Sequence, residues 1–154
     1  MERDGTMKKE PQWVKIGVTG TRLGANDKQL GEISSLLSEI NGVELHHGDC
    51  VGVDEQTANI ARSLGYRLIC HPPVKPQLRA YVESDQSMDP LGYLQRNRNI
   101  VQATQLLIVV PAQDEWQPQG GTWYTLDHAV RKNKPIVIIY PNKPTKHFLT
   151  RIAI

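Results

Sequence analysis

Five short apolar runs constrain this chain more than any other feature: "WVKIGVTG" (13–20), "VELHHG" (43–48), "YRLICHPP" (66–73), "QLLIVVP" (105–111) and "PIVIIYP" (135–141). In several of them apolar residues fall on both parities of the strand repeat, so both faces must be covered, as in a parallel sheet between two layers of helices. The stretches between the runs supply those helices. Leu30, Ile33, Leu37 and Ile40 recur at helical spacing behind the cap candidates Asn26 and Asp27 and stop at Asn41–Gly42. Val53, Thr57, Ile60, Ala61 and Leu64 form a second stripe closed by Gly65. "YLQRNRNIVQ" (93–102) forms a third, and Trp123, Leu126, Ala129 and Val130 a fourth. This alternation predicts an α/β fold, a doubly wound parallel sheet of about five strands in the order 3-2-1-4-5 with helices on both faces. Residues 72–90 are polar and proline-bearing, and read as a lid or as a connection with a short helix around Leu78 to Val82.

In such a sheet, ligands bind outside the carboxyl ends of the strands, where the order reverses between the first and fourth strands. Three loops there carry suitable chemistry. In "VTGTRLG", Gly20 permits close backbone approach, Thr19 and Thr21 offer hydroxyls and Arg22 a planar fork for phosphate or carboxylate; a plain glycine turn is the alternative. In "HGDCVGVD", Gly48 and Gly52 precede a helix start that favours an anion, with Asp54 either a site carboxylate or a complement to the helix dipole. In "QGGTWYT", Gly120 and Gly121 lead into another helix start, where Thr122 and Thr125 bind phosphate or cap. There is neither a GxGxxG fingerprint nor a Walker loop. Trp116 precedes the third loop and is free to stack on a base, whereas Trp123 shares the inward spacing of its helix.

The third helix contains a contradiction. Leu94, Asn97, Arg98 and Val101 share one face, so an amide and a guanidinium interrupt its apolar stripe, with Arg96 roughly 200° away. A buried unpaired charge costs several kcal/mol or more, so Arg98 needs a ligand, a carboxylate such as Asp54 or Asp49, or solvent.

Composition removes some functions. The 154 residues fit one domain, read as a leader over 1–12 and a single unit over 13–154. No run reaches the roughly 20 apolar residues of a membrane span, and the N-terminus has no apolar signal core. Cys50 and Cys70 show no disulfide or CxxC spacing, which points to the cytoplasm. His46, His47, Cys50, Cys70 and His71 are metal-ligand types without a recognised zinc spacing, so no metal and no cofactor is expected. A net charge of +2 argues against nucleic acid as the partner, although Lys143, Lys146 and Arg151 cluster near the end. A homo-oligomer, most simply a closed dimer, is the expected assembly.

Taken in order, these motifs resemble the SLOG superfamily: the DprA/Smf core, the LOG ("lonely guy") phosphoribohydrolases, molybdenum cofactor carrier proteins and YspA/YpsA-like proteins. "VTGTR" resembles the family's opening strand and turn, "HGDCVGVDEQTANIARSLGY" its glycine and aspartate segment, "QRNRNI" the RNR signature of the DprA and YspA branches, and "GGTWYTLDHAVRKNKPIVIIYP" its glycine-threonine helix and last strand. The resemblance spans about Val14 to Pro141. It implies a Rossmann-like fold that binds a nucleotide or nucleotide-derived phosphorylated small molecule as a sensor, carrier or sequestering module. The implied lining is Gly20, Arg22, Gly48, Gly52, Asp54, Arg96, Asn97, Arg98, Gly121 and Thr122, and the residue reading adds Thr21 and Gly120. LOG-like N-glycosidase chemistry is the alternative, with Asp54 and Asp127 as candidate catalytic residues. "QGGTWYTLD" departs from the PGGxGTxxE signature that supplies the LOG glutamate. DprA-like binding of single-stranded nucleic acid is a third reading.

Overall fold

The computed structural model describes residues 14–148. The leader over 1–12, Trp13 and Arg151 lie outside them. The chain begins with β1 (Lys15–Gly20), α1 (Asp27–Ile40), β2 (Glu44–His47), α2 (Val53–Ser63) and β3 (Arg67–Cys70). A single 3-10 turn (Pro76–Leu78) and β4 (Gln86–Ser87) come next, then α3 (Tyr93–Ala103) and β5 (Leu106–Val110). The last elements are α4 (Gly121–Arg131), β6 (Ile136–Ile138) and β7 (Lys146–Phe148).

The sheet has seven strands in the order β4-β3-β2-β1-β5-β6-β7, parallel except for the β6–β7 pair. The five apolar runs occupy its middle in the expected order, and the count of five is corrected by one strand at each edge. Both additions are short: β4 pairs through Ile69↔Gln86 and Cys70↔Ser87, and β7 is the tripeptide Lys146–Phe148. Edge strands that bury almost nothing carry no apolar run, so periodicity does not reveal them. The expected helix around Leu78 to Val82 is also corrected. Beyond the 3-10 turn, Tyr81 takes a left-handed φ of 56°, and Asp49 holds the segment extended by accepting from the Val82 N–H at 2.8 Å.

Alternation along the strands separates two cores. Ile16, Val18, Leu106, Ile108 and Val110 face α1 and α2, packing on Ile33, Leu37, Val53, Ala58 and Ala61. Leu107, Val109, Ile136 and Ile138 face α3 and α4, packing on Ile100, Val101, Trp123, Leu126 and Ala129. In α2 and α4, Leu64 and Val130 were placed inward by spacing and turn out exposed; each lies in the last turn of its helix or just beyond it. Asn26 and Gln29 form a capping box that starts α1, and the buried Gln29 amide donates to Pro111 O and Ile139 O. One side chain therefore fixes α1 against the carboxyl ends of β5 and β6.

Candidate functional site

Two of the three loops interlock at the switch point. The Thr21 N–H donates to Val110 O at 3.1 Å, and the Val53 N–H to Thr21 O at 3.0 Å, so the turn after β1 is tied to both β5 and the start of α2. This contact requires glycine twice. A Cβ on Gly20 would lie 2.5 Å from Val53 Cβ. Gly52 combines a φ of 92° with a backbone so close that a Cβ would lie 2.5 Å from Thr21 O. Arg22 projects from this turn as an exposed guanidinium, near enough to Cys50 for its charge to act on the thiol.

The RNR helix supplies the next wall, with a correction. The buried guanidinium belongs to Arg96, 4% exposed, and the inward stripe of α3 is Arg96, Asn97, Ile100 and Val101. Leu94 and Arg98 face outward, the reverse of the expected orientation. Arg98 donates to the Tyr124 hydroxyl at 2.8 Å on the flank of α4. The expected stripe was set one position late in register: stepping back from Ile100 by three and four residues gives Asn97 and Arg96. Arg96 has no carboxylate partner among the described residues. Its Nη1 donates to Gly48 O and to His71 O (3.1 Å), and its Nε to Asn97 Oδ1 at 2.7 Å. The guanidinium thus stitches the ends of β2 and β3 to α3. A Cβ on Gly48 would lie 2.6 Å from Nη1, which explains the glycine there.

Asp54 is buried behind this seam, and its Oδ2 accepts the Cys50 N–H at 3.2 Å. Burial pushes its carboxyl up to about 6, opposed by the Arg96 charge and by backbone amides of Cys50 and Gly48. Asp49, the other carboxylate considered for the arginines, pairs instead with Arg79 at 2.7 Å.

The third loop reaches the same edge of the sheet. Gly121 lies beside Asn97, since a Cβ on it would be 3.5 Å from Nδ2. α4 opens at Gly120, φ 101°, with no side-chain cap, leaving its first amides to face outward beside Thr122. Thr125 bonds back to Gly121 O at 2.7 Å and is not a cap. The structure therefore brings Gly20, Thr21, Arg22, Gly48, Gly52, Asp54, Arg96, Asn97, Gly120, Gly121 and Thr122 to one edge of the sheet. Asp127 is set apart, its carboxylate taking the Trp116 indole N–H at 3.1 Å. That contact also explains Trp116, which stays 55% exposed.

Sequence reasoning named the histidines and cysteines of two clusters but missed their grouping with Asp49 and Glu44. His47, Asp49 and Cys70 bring their ligand-type atoms within 4.8 Å of one another. Protein donors already hold these lone pairs: His47 Nδ1 accepts the Asp49 N–H, and Asp49 accepts from Arg79 and Val82. Burial pushes the Cys70 thiol up to about 11 and drives His47 down to about 4. The second cluster is a relay, Glu44 to His46 at 2.9 Å and His46 to His71 at 2.8 Å. Its signal was the placing of histidines at alternate or terminal strand positions that should be aliphatic.

No protein-family model matches this sequence, and no curated protein matches it. Solved structures do. The molybdenum cofactor binding protein from Rippkaea orientalis superposes with a TM-score of 0.64 at 21% identity, over 85% of this chain and 78% of that one. The chain shares the fold of that protein. The Moco carrier protein from Chlamydomonas reinhardtii shares it at 24% identity and a TM-score of 0.59, over 82% of this chain and 75% of that one. DNA processing protein A from Streptococcus pneumoniae shares it at 18% identity and a TM-score of 0.61 over 83% of this chain, which spans 50% of that protein.

Proposed function

We propose that this chain binds a nucleotide or nucleotide-derived phosphorylated ligand at the switch-point hollow, as a sensor, carrier or sequestering module. The observation that carries the reading is the convergence of the Thr21–Arg22 turn, the Gly48–Asp54 loop, Asn97 and the uncapped start of α4 on one sheet edge. An exposed guanidinium, two hydroxyls and free helix-opening amides suit a phosphate group. Arg96 acts as a positioning residue, since three of its donors go to Gly48, His71 and Asn97 and its Nη2 turns to the Cys50 thiol. The likeness to proteins described as molybdenum cofactor binding or carrying supports a small-molecule ligand.

The test is a thermal-shift screen with nucleoside mono-, di- and triphosphates. Binding at a hundredfold excess over Kd adds about 2.7 kcal/mol of stability. The account expects a shift that Arg22→Ala reduces; no shift with any of the panel removes it. LOG-like cleavage is less well supported, because Asp54 is buried against backbone amides and Asp127 is held by Trp116. The likeness to DprA favours one second reading, single-stranded DNA binding, for which affinity must fall steeply with salt. Cytoplasmic location and a homo-oligomeric state belong to the same proposal, and light scattering of the purified protein checks the latter.

A further inference from the structure

The outer side of α4 carries one stripe. Tyr124, Asp127, His128 and Arg131 stand on successive turns, directed away from the buried Leu126 and Ala129. Side chains of two other elements join it. From α3, Arg98 donates to the Tyr124 hydroxyl at 2.8 Å, and Leu94 is exposed one turn earlier on the same helix. From the loop before α4, Trp116 donates its indole N–H to both Asp127 oxygens at 3.1 Å while its ring stays exposed. The cations of this face have no carboxylate to meet. Arg98, Arg131 and Lys132 form no ion pair among the described residues, and Asp127 holds Trp116. Burial lowers the pKa of His128, and the charges of Lys132, Arg131 and Arg98 lower it further, so the three cations gather around that ring.

The dipole of α4 accounts for Arg131 and Lys132, which stand at its carboxyl end, but not for Arg98 in the middle of α3. With a net charge of only +2, the chain has no general excess of cations to place here, so the gathering is local. Like charges held together cost stability, and an acidic partner turns that cost into attraction. Tryptophan, tyrosine and arginine are also the residues that anchor protein interfaces. Here they are held before a partner arrives, the Trp116 ring by Asp127 and the Tyr124 hydroxyl by Arg98, which lowers the ordering cost of binding. An isologous contact with a second copy would set the same cations against each other. A nucleic acid backbone crossing the stripe would meet the Asp127 carboxylate and offers no aliphatic group to Leu94. A peptide can do both things at once, placing carboxylates on the guanidinium forks and an apolar side chain between them.

We propose that the α3–α4 face docks an acidic segment of a partner protein, whose carboxylates pair with Arg98 and Arg131 and whose apolar side chain lies against Trp116. The docking does not depend on the anion hollow. The probe is a short synthetic peptide of glutamates around one central leucine, titrated into the full chain and followed through backbone amides and the Trp116 indole N–H. Saturable shifts at Tyr124, His128, Arg131 and that indole are expected, and they should weaken as salt rises. Arg98→Gln combined with Arg131→Gln changes two exposed side chains, so the urea midpoint should barely move while Kd rises about tenfold or more. Trp116→Ala should raise Kd as well. A peptide of glutamines around the same leucine should not bind. The inference is overturned if the glutamate peptide shifts none of these signals, if the double variant binds it as tightly as the native chain, or if a thymidylate oligomer of equal charge binds the same residues more tightly. It is overturned equally if the double variant lowers the mass of the chain in light scattering, because the face would then join two copies.

Discussion

Removing the Arg96 guanidinium should cost far more stability than removing that of Arg98, although the sequence sets them two residues apart. Arg96→Ala leaves the carbonyls of Gly48 and His71 and the Asn97 amide oxygen without their donor. A buried group stranded in this way costs about 1–3 kcal/mol. Because Arg96 also lines a cleft open to solvent, water can replace part of what is lost. The expected total is therefore about 3–5 kcal/mol, a large share of the roughly 5–15 kcal/mol available to a domain. Arg96→Lys keeps the charge but cannot reach three acceptors in one plane, and should fall between. Arg98→Ala loses one exposed bond to Tyr124 and should cost less than about 1 kcal/mol. Urea unfolding of the three variants, with midpoints compared at constant slope, measures these differences. A loss below about 1 kcal/mol for Arg96→Ala, or a larger loss for Arg98→Ala, would refute the stitching role.

Three further outcomes follow from the same geometry. Gly52→Ala places a Cβ against Thr21 O at a φ of 92° and should destabilise by roughly 2 kcal/mol or more, read by urea midpoint; a neutral result breaks the interlock of the two loops. Gly48→Ala pushes on the Arg96 guanidinium, so combined with Arg96→Ala it should cost clearly less than the two changes summed, whereas strict additivity would separate them. Stability should also depend on pH through opposing groups. His47 has its folded pKa near 4, below the unfolded 6.5, so its contribution of about 3 kcal/mol is lost as pH falls from 6.5 to 4. Asp54, raised to about 6 from 3.8, regains a similar amount as pH falls through that window. Asp54→Asn should therefore steepen the acid loss measured by urea unfolding from pH 7 to 4, and an unchanged slope would contradict its buried, ionised state at neutral pH.

The middle of the fold is legible because hydrophobic burial writes it twice, as continuous runs in β1, β5 and β6 and as helical stripes in α1 and α4. The edges are not, because Gln86–Ser87 and Lys146–Phe148 contribute backbone pairing with almost no apolar burial. At the site, Gly20 was readable as a close approach, and Gly48 and Gly52, read only as leading into a helix start, also prove to face a neighbour. What was lost was the phase of α3. Leu94 suggested an apolar face that its 49% exposure denies, and so the wrong arginine was placed inside. A single leucine at the first turn of a helix is a weak anchor for phase when polar residues occupy both competing faces. The histidine relay escaped for a related reason: imidazoles at strand positions read as loop or metal chemistry until the hydrogen bond between His46 and His71 is seen.

The most direct measurement is a backbone amide titration of the full chain with the nucleotide that gives the largest thermal shift. Saturable changes at Thr21, Arg22, Gly121 and Thr122, at a common Kd and weakened by Arg22→Ala, are what the switch-point hollow predicts. Saturation without change at these amides, or with changes confined to another face of the sheet, would contradict it.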